Sequence, residues 1–124
     1  MPTLRLSGLI QHVAKRLRRS SGRIAMKMDV EGVEGRVVPD LIGSGALCEL
    51  AAVIVEWHDA NPYLKLPVEQ LHSIELAHAK MRRAVADGGV CEGGAAAPIL
   101  FDVDDETYPN DNQPWPEGSV CARD

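Results

Sequence analysis

No run of apolar residues in this chain approaches the ~18 to 20 residues that a bilayer-spanning helix needs. The charged start and apolar core of a secretory signal are also missing. The three cysteines, Cys48, Cys91 and Cys121, form no CxxC pair, so neither a zinc ribbon nor a redox motif is indicated. Free thiols in a reducing compartment are the simplest interpretation, although three cysteines leave room for one disulfide. We therefore predict a cytoplasmic protein without a membrane partner.

Acidic residues are absent from the first 28 positions, while the rest of the chain holds all 18 acids and only six basic residues. A basic segment of this kind could be an organelle-targeting peptide or an arm that binds nucleic acid. Its apolar residues follow helical spacing: Leu9, Ile10, Val13 and Leu17. We favour a helix with a solvated basic face and predict no nucleic-acid partner.

Length and the alternation of patterns predict one α/β domain over 1–103, with a mostly parallel sheet flanked by helices. An acidic, proline-rich tail follows over 104–124. The predicted strands are 3–6, 24–28, 50–57 and 98–103, and the predicted helices are 9–19, 33–42 and 67–87. The strands at 24–28 and 50–57 are continuous apolar runs, which is typical of parallel strands covered on both faces. Pro39 predicts a kink or two short helices within 33–42.

Acidic residues and one histidine follow two of the predicted strands. Asp29 and Glu31 come two positions apart after the first, and Glu56 and His58 repeat that spacing after the next. Residues two apart on an extended chain point the same way, and open α/β sheets bind ligands at the carboxyl ends of their strands. We therefore expect the four side chains to converge on one cleft.

Several chemistries fit such a cluster. A histidine beside carboxylates could act as a general base, and the same set could ligate a divalent metal or serve a hydrolase, although we assign no metal to it. Alternatively, Asp29 or Glu31 could cap the following helix, and His58 could be a hydrogen-bonded strand terminus. Lys27 could be an ion-pair partner or a solvated edge residue.

The remaining polar residues give weaker indications of a functional site. His78 lies on the apolar stripe of the long helix and is predicted to be a core histidine, whereas His12 is predicted at the surface. Asp102 and the acids after it are predicted to form a solvated turn, not a calcium loop. No Walker, GxSxG, HExxH or GxGxxG motif is present.

Four short blocks together resemble the C-terminal half of an FkbM-type methyltransferase. They read KMDVEGVE at 27–34, VPDL at 38–41, SGAL at 44–47 and IVEWH at 54–58. The first matches that family's pattern of a lysine, alternating hydrophobic and acidic residues, then Glu-Gly-x-Glu. Each block alone is weak, but their order and separation are fairly specific. The resemblance covers 24–60 well and 61–103 loosely.

The resemblance implies a partial Rossmann-like methyltransferase fold that uses S-adenosylmethionine to methylate a hydroxyl of a small molecule or glycan. Residue by residue, it makes Asp29, Glu31 and His58 the catalytic candidates, with His58 as the base. Glu34 and Glu56 are expected to line the substrate cleft. No cofactor-binding residue can be assigned, because the family's glycine-rich loop has no counterpart in this sequence.

That missing cofactor loop has two expected consequences. The isolated chain should bind S-adenosylmethionine poorly or not at all. The strand at 24–28 should also expose an apolar edge that invites self-association, so a non-catalytic α/β interaction module is the alternative function. Gly35 stands where the family usually carries a larger side chain, and we expect it to loosen helix packing.

Overall fold

The computed structural model describes residues 4–58, 65–87, 90–91, 93 and 96–103. Within them, helices and strands alternate as α1 (Leu6–Leu17), β1 (Ala25–Met28), α2 (Glu34–Gly43), β2 (Ala52–Glu56), α3 (Val68–Asp87) and β3 (Ile99–Val103). A short 3-10 helix, Ala46–Glu49, lies between α2 and β2. The strands form an open parallel sheet in the order β1-β2-β3, so the prediction of an α/β fold with a parallel sheet flanked by helices is confirmed.

Two details of the predicted elements are wrong. The first strand, expected over 3–6, is not found in its described part, because α1 begins at Leu6. The alternative of two short helices within 33–42 is also wrong, because Pro39 lies inside one continuous helix, α2, whereas the kink stays a prediction. Proline removes one backbone hydrogen bond, but Val38 and Leu41 on α2 are fully buried and hold the helix in the core. The predicted tail at 104–124 lies outside the described residues.

The two faces of the sheet have different surroundings. One face and all three helices contribute to a single core, which includes Ile10, Met28, Leu41, Val53, Val55, Ile74 and Met81. On the opposite face, Ile99 and Phe101 of β3 are 63% and 50% exposed. Ala25 and Lys27 of β1 are exposed on the same face, so the expectation that both faces of the strand at 24–28 are covered is wrong. An apolar run shows that a strand is hydrophobic on both sides, but it does not show what covers each side.

No helix in the described part of the chain is long and apolar enough to cross a membrane.

Gly35 fixes how closely α2 packs against α3. A Cβ atom built at Gly35 would lie 2.9 Å from the Cβ of Ser73 and 3.0 Å from the backbone carbonyl carbon of Ser73. These separations are too short for carbon atoms in contact. Gly35 therefore permits close packing of the two helices, which is the opposite of the loosening that we expected.

Gly35→Ala should lower the free energy of unfolding by about 1–3 kcal/mol, because the added methyl group forces α2 away from α3. Gly43→Ala, in the last turn of α2, is the matched control, since a Cβ there meets nothing within 4 Å. We expect that variant to be neutral or stabilised by up to about 1 kcal/mol. Urea unfolding of both variants measures the difference, and equal effects would contradict the packing argument.

A disulfide joins Cys48 in the 3-10 helix to Cys91 beyond α3. The interpretation of free thiols is therefore wrong for these two residues. The partners are 43 positions apart, and pairing over such a distance depends on the fold, so it could not be read from cysteine spacing. Cys121 lies outside the described residues.

Candidate functional site

The carboxyl ends of β1 and β2 lie side by side, because Met28 pairs with Val55 in the parallel register. The chain leaves β1 at Asp29, and β2 ends at Glu56, two residues before His58. One ligand atom from each of Asp29, Glu56 and His58 lies within 4.8 Å of the other two. The structure thus brings together three of the four side chains expected to converge.

Glu34 adds a fourth group to this cluster. It is the first residue of α2 and is fully buried. Its Oε1 atom makes a short contact with Nδ1 of His58, whose side chain is also buried. The other ring nitrogen, Nε2, lies 3.4 Å from Oδ1 of Asp29. A carboxylate on Nδ1 fixes the orientation of an imidazole ring, so Glu34 directs Nε2 of His58 towards Asp29.

A tight turn between β1 and α2 places Glu34 beneath His58. Glu31 and Gly32 both have left-handed backbone conformations, with φ of 44° and 97°. Nε2 of Gln70, on α3, donates a hydrogen bond of 2.5 Å to the carbonyl oxygen of Gly32 and holds the turn in place. Gly32 is required here, because its left-handed φ strains other residues and a Cβ would lie 2.8 Å from the Gln70 amide nitrogen.

Glu31 does not take the position that the sequence predicted for it. The strand ends at Met28, and the left-handed backbone of Glu31 breaks the two-residue alternation that should have aligned it with Asp29. Glu31 is exposed and is not one of the three converging residues. The capping alternative is not observed either, since the N-cap of α2 is Val33 and no side chain caps that end.

The cluster is rich in negative charge. Asp29, Glu34 and Glu56 supply three carboxylates. The neighbouring cations include His58, when protonated, and Lys27, whose Nζ lies 3.9 Å from Oε2 of Glu56. Lys27 is half exposed, so it serves both as an ion-pair partner and as a solvated edge residue. The N-terminal end of α2 further stabilises the Glu34 carboxylate. Asp29, 42% exposed, connects the buried groups to solvent.

A second polar network lies near the same end of the sheet, around Asp102 of β3. Trp57 Nε1 donates a hydrogen bond of 2.8 Å to Oδ1 of Asp102, and Nε of Arg82 donates one of 2.8 Å to Oδ2. His78 stacks on the Trp57 ring at a centroid distance of 4.2 Å, and its Nε2 lies 3.4 Å from Asp102 Oδ2. The prediction of a solvated turn is therefore wrong for Asp102, while His78 is packed as a structural histidine.

These contacts change the titration of Asp102. Partial burial alone would raise its pKa, but hydrogen bonds from Trp57, Arg82 and His78 outweigh burial and lower the pKa below its ordinary value. Because the folded-state pKa is lowered, the network stabilises the fold above the ordinary aspartate pKa. That contribution is lost on acidification through the lowered pKa.

The other two histidines lie elsewhere. His12 is exposed on α1, as predicted, and His72 is exposed on α3.

Comparisons of the chain with models of known protein families, with curated proteins and with solved structures find no match. The family resemblance therefore stays a prediction.

Proposed function

We propose that this chain forms the acceptor side of an S-adenosylmethionine-dependent O-methyltransferase of the FkbM type. In this proposal the three parallel strands belong to a partial Rossmann-like fold without its N-terminal cofactor-loop strands. The observation that carries the proposal is the ordered contact from Glu34 to His58 to Asp29 at the carboxyl edge of the sheet. Ligands of open α/β sheets bind at this edge.

His58 is the general base of the proposed reaction. Its Nε2 takes the proton of the acceptor hydroxyl as the hydroxyl oxygen forms a bond to the methyl carbon of S-adenosylmethionine. S-adenosylmethionine, when bound, would supply that methyl group and would be released as S-adenosylhomocysteine. Glu34 orients the ring and stabilises the imidazolium that forms, as a carboxylate does in other histidine-based sites. The acceptor, a small molecule or glycan, approaches at Asp29, the solvent-exposed member of the cluster.

The coding region upstream of Met1 provides the first test. We expect an in-frame segment with a glycine-rich strand-turn-helix, and a stop codon in its place would contradict the enzyme proposal. The extended protein should transfer labelled methyl groups from S-adenosylmethionine to a hydroxyl in a panel of mono- and oligosaccharides. The chain of 124 residues alone should bind the cofactor poorly or not at all. Micromolar affinity by calorimetry would overturn that expectation.

His58→Gln should lower kcat of the extended protein by about 10²–10⁴, the usual contribution of a general base. His72→Gln is the matched control, because His72 is exposed on α3 and takes no part in the cluster. Full activity of His58→Gln would contradict the assigned role.

A non-catalytic interaction module is the second candidate function, and one observation favours it. In the described part of the chain, β1 pairs with β2 alone and therefore forms an edge of the sheet. Exposed strand edges pair readily with other chains. Size-exclusion chromatography at micromolar concentrations tests the module. It predicts self-association, and a stable monomer would contradict it.

A further inference from the structure

We infer that Asp29, Glu56 and His58 form a binding site for a divalent transition-metal ion of the Mn²⁺ class. The inference goes beyond methyl transfer and does not rest on it. It also departs from our sequence-based prediction, which assigned no metal to this cluster. Three features of the cluster support such a site: the spacing of its ligand atoms, the position of Glu34 and the charge.

The three ligand atoms are spaced for a single ion. Atoms that bind one ion at about 2.1 Å and at octahedral or tetrahedral angles lie about 3.0–3.4 Å apart. Nε2 of His58 and Oδ1 of Asp29, at 3.4 Å, already have that spacing. The complete set lies within 4.8 Å, so an ion would draw the three atoms closer together. Asp29 is the member best able to move, because it is partly exposed and follows the end of β1.

The contact between Glu34 and His58 is a second feature that metal sites share. Histidines that bind metals usually donate their second ring N–H to a carboxylate, which fixes the tautomer and orients the ring. Glu34 occupies that position on Nδ1 of His58 and is itself fully buried at the start of α2. It is not one of the three candidate ligands. A group of solvated surface acids has no reason to include such a buried, orienting carboxylate.

The charge of the cluster also supports a bound divalent ion. Glu56 and His58 are almost completely buried, and Glu34 is fully buried. Burial of carboxylates is costly unless cations compensate them. Nζ of Lys27 lies 3.9 Å from Oε2 of Glu56 and is half exposed, so water partly screens this interaction. A divalent ion between Asp29, Glu56 and His58 would neutralise the two carboxylates directly.

The donor set selects the class of ion. Imidazole nitrogen favours transition metals over Mg²⁺ and Ca²⁺, while two carboxylates favour harder ions such as Mn²⁺. Mn²⁺ is also the cleaner probe, because a cysteine thiol such as that of Cys121 would compete with the cluster for Zn²⁺. The ion and a proton from an acceptor would use the same atom, Nε2 of His58. If both proposals hold, Mn²⁺ inhibits methyl transfer, and failure of either proposal leaves the other standing.

Mn²⁺ binding should be measured by electron paramagnetic resonance on the purified chain without S-adenosylmethionine, from the loss of the free-ion signal. We expect Asp29→Asn to weaken binding at least about tenfold, and Glu34→Gln to weaken it about 10- to 100-fold through the orientation of His58. Glu75→Gln is the matched control, since Glu75 lies exposed on α3 beside His72, away from the cluster, and should leave binding unchanged. Circular dichroism should show that each variant keeps its helices.

Asp29→Asn keeps the inference testable if Glu34→Gln fails to fold, because Asp29 is partly exposed and lies outside the core. Wild-type binding no tighter than that of Asp29→Asn would overturn the inference. An equal loss in Glu75→Gln would also overturn it, since it would show that Mn²⁺ binds to surface carboxylates in general.

Discussion

Glu34→Met should lower the free energy of unfolding by about 3–5 kcal/mol, which is the usual cost of removing one partner from a buried charged pair. Methionine matches the length and straight shape of glutamate, so the core loses a charge and a hydrogen bond but little volume. Nδ1 of His58 would then face a thioether, a weak acceptor, in a region closed to water. Urea unfolding followed by circular dichroism measures the loss.

Glu49→Met is the matched control for this change. Glu49 also forms an ion pair, with Nη2 of Arg18 at 3.0 Å, but both side chains of that pair reach solvent. Exposed pairs contribute about 0–1 kcal/mol, so we expect a much smaller effect. Similar losses in the two variants would show that the buried Glu34–His58 pair contributes no more to the free energy of unfolding than an exposed pair.

Removal of the disulfide should cost about 4 kcal/mol, because a cross-link that closes a loop of 43 residues restricts the unfolded chain strongly. The link also ties the 3-10 helix to the chain beyond α3. Urea unfolding of the wild type with and without reductant should show this difference. Thiol titration of the oxidised, denatured chain should find one free thiol, that of Cys121.

The variant Cys48→Ala/Cys91→Ala controls for other effects of the reductant. Its stability should match that of the reduced wild type and should not change when reductant is added. Three free thiols in the purified oxidised chain, or equal stability with and without reductant, would contradict the disulfide.

The strongest sequence patterns predicted the fold best. β2 was identified from a continuous apolar run, and α3 from an apolar stripe at spacings of three and four that includes the buried Ile74 and Met81. The prediction failed at the start of the chain, where a pattern of only four residues could not distinguish a strand from the first turn of α1. Apolar strands also could not reveal that, within the described residues, one face of the sheet is partly exposed.

The same limits apply to the cluster. The convergence of Asp29, Glu56 and His58 followed from two parallel strands ending together, which the sequence pattern contained. The position of Glu31 could not be predicted in this way, because a left-handed turn overrides the alternation of an extended chain. Asp102 was missed as a structural residue, although its two-residue spacing from the apolar Leu100 placed it on the inner face of β3.

A double-mutant cycle on Glu34 and His58 tests the central claim most directly, because every use of the cluster depends on their contact. Glu34→Met and His58→Leu should each cost about 3–5 kcal/mol, since each leaves the other group buried without its partner. The double variant replaces the pair with apolar groups and should recover most of the loss, with a coupling energy of at least about 2 kcal/mol. Losses that add to within about 0.5 kcal/mol would contradict the contact.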